Sequence, residues 1–138
     1  MSKNQKVLIT GANGKIGTAI CDVLEKNKGY DIIKFTHGND YLQEIDNEYK
    51  GNLFISDHIK HVFNVHDIDI VIHLAVSRNP MSNPRIRSYE TFEKDTTILF
   101  NLLSCCDNID KFIFSSSAAV YGYAHFEDVV SRKDVAQK

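Results

Sequence analysis

The chain has 138 residues, 43% hydrophobic and 25% charged, with a formal net charge of −2. That is one domain's length, enough for a sizeable core, and the interspersed acids and bases exclude a nucleic-acid footprint or a basic stripe for a membrane surface. Cys21, Cys105 and Cys106 lack metal or redox spacing, no run approaches membrane-spanning length, and the first residues lack an apolar signal core; a soluble, cytoplasmic protein with reduced thiols is expected, its cysteines small apolar helix residues.

From Val7 the chain reads Val-Leu-Ile-Thr, then Gly11-Ala12-Asn13-Gly14-Lys15-Ile16-Gly17, and the helical pattern Ile16, Ile20, Val23, Leu24 follows at once. This predicts strand, glycine turn, helix. Gly11, Gly14 and Gly17 allow positive φ or close backbone approach, and a helix start offers unpaired N–H groups to a phosphate. Their spacing is a variant of the Gly-x-Gly-x-x-Gly dinucleotide pattern; a tight turn without a ligand is the alternative. A Walker loop is excluded, because Ile16 stands where the magnesium-binding Ser or Thr belongs and Ile9 where the first glycine belongs.

Lys26-Asn27-Lys28-Gly29 reads as a basic last turn with a C-cap glycine, and Tyr30 to Thr36 as a second strand, which puts the turn in a β-α-β unit. An acid usually ends that strand, on the ribose hydroxyls. Here Thr36 stands there, followed by His37, so NADP is admitted as well as NAD, with Lys15 either a phosphate contact or an exposed lysine. Gly38 to Lys50 reads as a polar loop with a short irregular helix, and Asn52 to Ile55 as a third strand. Ser56 or Asp57 then caps a helix bearing Ile59, Val62 and Phe63, and Asp69 to Ala75 is a continuous apolar strand. The alternation predicts a parallel sheet.

His58, His61 and His66 have no compact ligand set beside them and read as a solvated helix face; His73, in an apolar strand, reads as a hydrogen-bonded core histidine. The loop Val76 to Ser88 carries Pro80, Pro84, Arg78, Arg85 and Arg87. It follows a strand's carboxyl end, where α/β ligands bind, so its arginines either meet phosphate or form a basic surface. A long helix follows with Phe92, Leu99, Leu103 and Cys106 on one stripe and Ile98, Leu102 and Cys105 beside it, broad enough for the sheet and for a homodimer contact around 89–106. Lys111 to Phe114 is a fifth strand leading into Ser115-Ser116-Ser117-Ala118-Ala119-Val120-Tyr121-Gly122.

Four landmarks in order, Thr10 to Gly17, Gly51-Asn52-Leu53, Asp69 to Ala75 and Phe112 to Gly122, resemble the extended short-chain dehydrogenase/reductases, the NAD-dependent epimerase/dehydratase family. The resemblance implies an α/β, Rossmann-type doubly wound parallel sheet of about five strands in the order 3-2-1-4-5, lacking a C-terminal substrate domain. It implies NAD or NADP as cofactor and a nucleotide sugar as the full-length relative's substrate, with hydride passing between a sugar carbon and the nicotinamide. Gly11, Gly14 and Gly17, with the amides of Lys15 and Ile16, would hold the pyrophosphate. Asn52 would contact adenine, with Leu53 beside the ring. Leu74, Ala75 and Val76 would line the adenosine and ribose side, Arg78 would reach the cofactor, and Asn13 and Ser115 are cofactor-binding positions of the same motifs. Ser117 matches the serine that bonds the reacting sugar oxygen; polar punctuation at a strand end is its plainer reading.

Asp95 replaces the usual Asn of the long helix, and Thr36 the common acid. The family's Tyr-x-x-x-Lys proton-transfer pair does not follow Ser117: Tyr121 has His125 four residues on and Tyr123 has Glu127. Residues 1–138 are therefore expected to be one nucleotide-binding domain cut before that helix and inactive alone. A non-catalytic module, or half of a site completed by another chain, are the alternatives.

Overall fold

The computed structural model describes residues 3–77 and 84–116, apart from the side chains of 84–88. Its elements are β1 (Gln5–Thr10), α1 (Lys15–Glu25), β2 (Tyr30–His37), β3 (Gln43–Ile45), β4 (Glu48–Gly51), α2 (Ser56–Val65), β5 (Ile70–His73), α3 (Pro84–Leu103) and β6 (Lys111–Phe114). They build one sheet in the order β3-β4-β2-β1-β5-β6, parallel throughout except for β3 on β4. The five parallel strands take the expected doubly wound order, and a short antiparallel strand is added at one edge.

Alternate side chains of a strand face opposite sides, and both sides are covered here. Leu8, Ile33, Phe35, Tyr49 and Val71 pack with Ile59 and Val62 of α2 and Ile98 and Leu102 of α3. Val7, Ile9, Ile70 and Ile72 pack with Cys21, Ile20 and Leu24 of α1. β1 and β5, apolar at successive positions, are central because only a strand covered on both faces stabilises such a run. From β1 the chain moves to β2 on one side and later to β5 on the other. The crevice at this reversal, outside the strands' carboxyl ends, is where open α/β sheets bind ligands.

Several expectations are corrected. Gly38 to Lys50 is not a loop with an irregular helix: it contains β3 and most of β4, joined at Asp46–Asn47 with Asp46 at φ +54°. The third parallel strand is accordingly 48–51 rather than 52–55. Asn52–Ile55 is a turn that drives Leu53 into the core. α2 starts at Ser56 with Ile55 at its cap position and no side-chain cap, so neither Ser56 nor Asp57 caps it. Gly29 is not a left-handed C-cap; the Asn27 side chain makes that turn by accepting the Gly29 N–H at 3.1 Å. Residues 84–88 belong to α3, not to the preceding loop. On α3, Ile98 and Leu102 are buried, whereas Phe92 and Leu103 are exposed. Cys105 and Cys106 lie just past the helix end, and all three cysteines are free. No described helix is long and apolar enough to cross a membrane.

Candidate functional site

The turn after β1 is drawn tight against its neighbours. Gly11 has φ +70°, and its N–H donates to the Phe35 carbonyl at 2.9 Å. A Cβ there would lie 2.9 Å from the Ala75 nitrogen, so Gly11 lets the ends of β1, β2 and β5 converge. At Gly17 a Cβ would overlap the Gly11 carbonyl and sit 2.8 Å from the Ala12 Cα, which makes this glycine the helix-to-turn contact. Gly14 differs: its backbone, φ −75° and ψ 169°, suits any residue, and a Cβ would meet only the Gly11 oxygen, at 3.3 Å. Its missing side chain leaves open space at the start of α1.

Gly14 is the N-cap of α1, without a side-chain cap and without an acid in the first turn. The Thr18 N–H donates to the Gly14 carbonyl at 2.9 Å, and the Lys15, Ile16 and Gly17 amides precede that first helical bond. Uncapped amides at the positive end of a helix, with room in front of them, suit an anion, and a diphosphate fits the cradle that a Cβ would fill. Asn13, Lys15 and Ile16 are exposed around it.

Thr10 ties this turn to the loop after β5. Its Oγ1 accepts the Leu74 and Ala75 N–H groups at 3.3 Å each and lies 2.7 Å from His73 Nδ1. With both amides donating in, the hydroxyl proton goes to Nδ1, and His73 carries its own proton on Nε2. Burial pushes the His73 pKa down against an opposing pull from Asp95, so the ring is a neutral core histidine, as expected. Leu74 and Ala75 are half-buried, Val76 is exposed, and the Ser77 N–H donates to Asp95 Oδ1 at 2.6 Å. The carboxylate that departs from the usual Asn thus pins the loop. Ser77 Oγ is closed off from solvent and has no hydrogen-bond partner among the described residues. Nothing in the sequence pointed to Ser77. Ser115, exposed past β6, joins the same end of the sheet through its N–H to the His73 carbonyl at 3.2 Å. Arg78 and Ser117 lie outside the described residues.

At the β2 and β4 ends, Thr36 is buried and donates to the Tyr49 carbonyl at 3.3 Å, which leaves His37 as the exposed side chain at the strand end. Asn52 is held on three sides. Its Oδ1 accepts the Phe54 N–H at 3.0 Å, its Nδ2 reaches Asp40 at 3.3 Å, and its N–H donates to His58 Nδ1 at 3.0 Å. The Leu53 side chain belongs to the core, while Asn101 Nδ2 holds the Leu53 and Phe54 carbonyls.

The three histidines do not share one solvated face. His58 of α2 is buried on Asn52; His61 of α2 is exposed, with its Nε2 3.1 Å from Glu44 Oε2; and the Nε2 of His66, the residue that ends α2, lies 2.8 Å from the Tyr49 hydroxyl, which donates to Glu44 Oε1 at 2.8 Å. Burial and the Glu44 charge raise the Tyr49 pKa, burial lowers that of His66, and the Tyr49 and His61 hydrogen bonds lower that of Glu44. Among the described residues no group of three or more His, Cys, Asp or Glu could hold a metal ion. An open depression of about 510 Å³ lies at the other end of the sheet, between His66–Asp69 and Cys105–Ile109, away from the glycine turn.

Residues 7–136 match the NAD dependent epimerase/dehydratase family. The chain is 34% identical over 137 residues to a dTDP-D-glucose 4,6-dehydratase of Dictyostelium discoideum, covering 90% of this chain and 31% of that protein. It is 30% identical to a UDP-glucose 4-epimerase of Drosophila melanogaster, covering 87% and 39%. Among solved structures, the UDP-glucose 4-epimerase of Bifidobacterium longum in complex with NAD+ and UDP superposes with a TM-score of 0.68 at 29% identity, over 86% of this chain and 38% of that one. The chain thus spans about a third of the length of the curated relatives it matches. With the turn, the strand order and the match over nearly its whole length in agreement, the chain belongs to the NAD dependent epimerase/dehydratase family.

Proposed function

We propose that residues 1–138 bind NAD or NADP and form the coenzyme-binding part of a nucleotide-sugar epimerase or dehydratase. The observation that carries this is Gly14, whose backbone any residue could adopt and whose missing Cβ opens the uncapped start of α1. Gly11, Gly14 and Gly17 with the Lys15 and Ile16 amides hold the diphosphate. Asn13, Thr36, Asn52, Leu53, Leu74, Ala75, Val76, Arg78 and Ser115 are the further cofactor positions, and Ser117 holds the sugar oxygen. What the dinucleotide supplies when bound is a hydride acceptor and donor. Three free thiols suit a cytoplasmic setting. Isothermal titration with NAD, NADP and their reduced forms tests the reading: binding of at least one is expected, and no heat with any of them removes the site.

Residues 1–138 hold no Tyr-x-x-x-Lys pair after Ser117. Incubation with NAD and UDP-glucose or dTDP-glucose is expected to give no turnover by the chain alone. Measured conversion would overturn that expectation.

A further inference from the structure

We infer that Asn101 of α3 is a positioning residue for coenzyme binding, acting through Asn52. The inference rests on the reading of the cleft as a dinucleotide site, with Asn52 on its base-binding side. The Asn101 side-chain amide donates to the Leu53 carbonyl at 3.0 Å and to the Phe54 carbonyl at 3.2 Å. The bonds that close the turn itself, Ile55 N–H to the Asn52 carbonyl and His58 N–H to the Ile55 carbonyl, use the carbonyls on either side of that pair. The peptide unit between Leu53 and Phe54 is therefore gripped at both ends: its carbonyl accepts from Asn101, and its N–H donates to Asn52 Oδ1 at 3.0 Å. Asn52 extends the row, its Nδ2 donating to Asp40 Oδ1 at 3.3 Å. One line of bonds thus runs from α3 through a single peptide to the Asn52 amide and on to a carboxylate, each bond polarising the next.

Two features separate this from a clasp that merely holds the turn shut. The Phe54 carbonyl bond lies at the surface, and Phe54 is itself 39% exposed, so water would satisfy that oxygen about as well. What Asn101 adds over water is a fixed direction for the peptide. That direction decides which way the Asn52 amide faces, since a primary amide carries an acceptor and a donor that trade places when it turns over. The Phe54 N–H demands an oxygen and the Asp40 carboxylate demands an N–H, so Asn52 has one orientation, with one Nδ2 hydrogen to spare. Half-buried just past β4, it offers that hydrogen to an acceptor such as a ring nitrogen of a base. Without Asn101 the peptide between Leu53 and Phe54 is free to rotate, the Phe54 N–H leaves Oδ1, and the Asn52 donor loses its heading. The Leu53 side chain stays in the core all the same, so the loss is one of orientation rather than of fold.

The test is a double-mutant cycle read by calorimetric titration of NAD into wild type, Asn101→Leu, Asn52→Ala and the two combined, each well below its own melting temperature. Asn101→Leu, close in volume but without a donor, is expected to weaken NAD about 3- to 10-fold, the size of one hydrogen bond, and Asn52→Ala at least as much. The double variant should bind no more weakly than Asn52→Ala alone, because Asn101 then has nothing left to orient. A residue that only braced the turn gives losses that multiply, and multiplied losses overturn the positioning role. Amide exchange without ligand is the second measurement: the Phe54 N–H should exchange faster in Asn101→Leu, or in Asn101→Ala if the leucine is not accommodated, and an unchanged rate overturns the link from α3 to Asn52. NAD bound with wild-type affinity in Asn101→Leu also overturns the role while leaving the dinucleotide site standing. Wild type that binds no dinucleotide removes the site reading and the positioning role together.

Discussion

Three glycines that look alike in the motif do different work, and substitution separates them. Gly17→Ala forces a methyl group against the Gly11 carbonyl and Ala12, backbone that cannot yield cheaply, and should lower stability by about 1–3 kcal/mol in urea denaturation. Gly14→Val should change stability by no more than about 1 kcal/mol, its backbone being ordinary for a side-chain-bearing residue, yet abolish cofactor binding by filling the cradle. Unchanged affinity in that variant would put the phosphates elsewhere. Burial fixes a second residue-scale behaviour. His73 and His66 have folded pKa values below their ordinary 6.5, so on acidification through that value the unfolded chain takes up protons the folded one resists. Glu44, held below its ordinary 4.5, adds stability that is present above that pH and lost as pH falls through its lower folded value. All three signs agree, and urea midpoints measured from pH 7 down to pH 4 should fall steadily; a flat profile would mean that these groups are not held as described. The glycines and His73 were legible in the sequence because their roles follow from the strand and turn containing them. Ser77 and the job of Asp95 were not, since nothing local says that residues 18 positions apart share a hydrogen bond.

The hairpin of β3 and β4 shows why one element escaped a reading by periodicity. β3 is exposed at all its residues, and β4 turns only Tyr49 and Gly51 inward, so no apolar alternation marks either strand. What holds them is lateral. β4 pairs with β2 from Lys34↔Glu48 to His37↔Gly51, and the Tyr49 hydroxyl bridges Glu44 of β3 to His66 beyond α2. The short turn Asp46–Asn47, of a residue type that tolerates positive φ, was the one local hint. Conversely, Leu53-Phe54-Ile55 imitates a strand because Leu53 plugs the core from a turn. Tyr49→Phe keeps the buried ring and deletes the bridge, leaving Glu44 and His66 without it; a loss of about 1–2 kcal/mol is expected by chemical denaturation. No loss would assign the hairpin's attachment to strand pairing alone.

At the scale of the molecule, apolar surface remains uncovered. β6 closes one edge of the described sheet, with Ile113 49% and Phe114 54% exposed, and Tyr89, Phe92, Phe100 and Leu103 run along one outward stripe of α3 at spacings that suit a second helix. The homodimer contact expected around 89–106 would use that stripe. Sedimentation should show self-association of wild type, and Phe100→Lys should shift it toward monomer; a wild type that stays monomeric at high concentration would remove the contact. The sequence by itself determined the alternation of strands and helices, hence a parallel sheet, and the glycine turn, because each is written in local periodicity and in backbone needs only glycine meets; the strand order came from the family resemblance. Only the tertiary structure decided that β3 exists, that Leu53 is core and that Asp95 holds the Ser77 N–H. These depend on which distant groups the folded sheet brings within hydrogen-bonding reach, and such proximity leaves no trace in neighbouring residues.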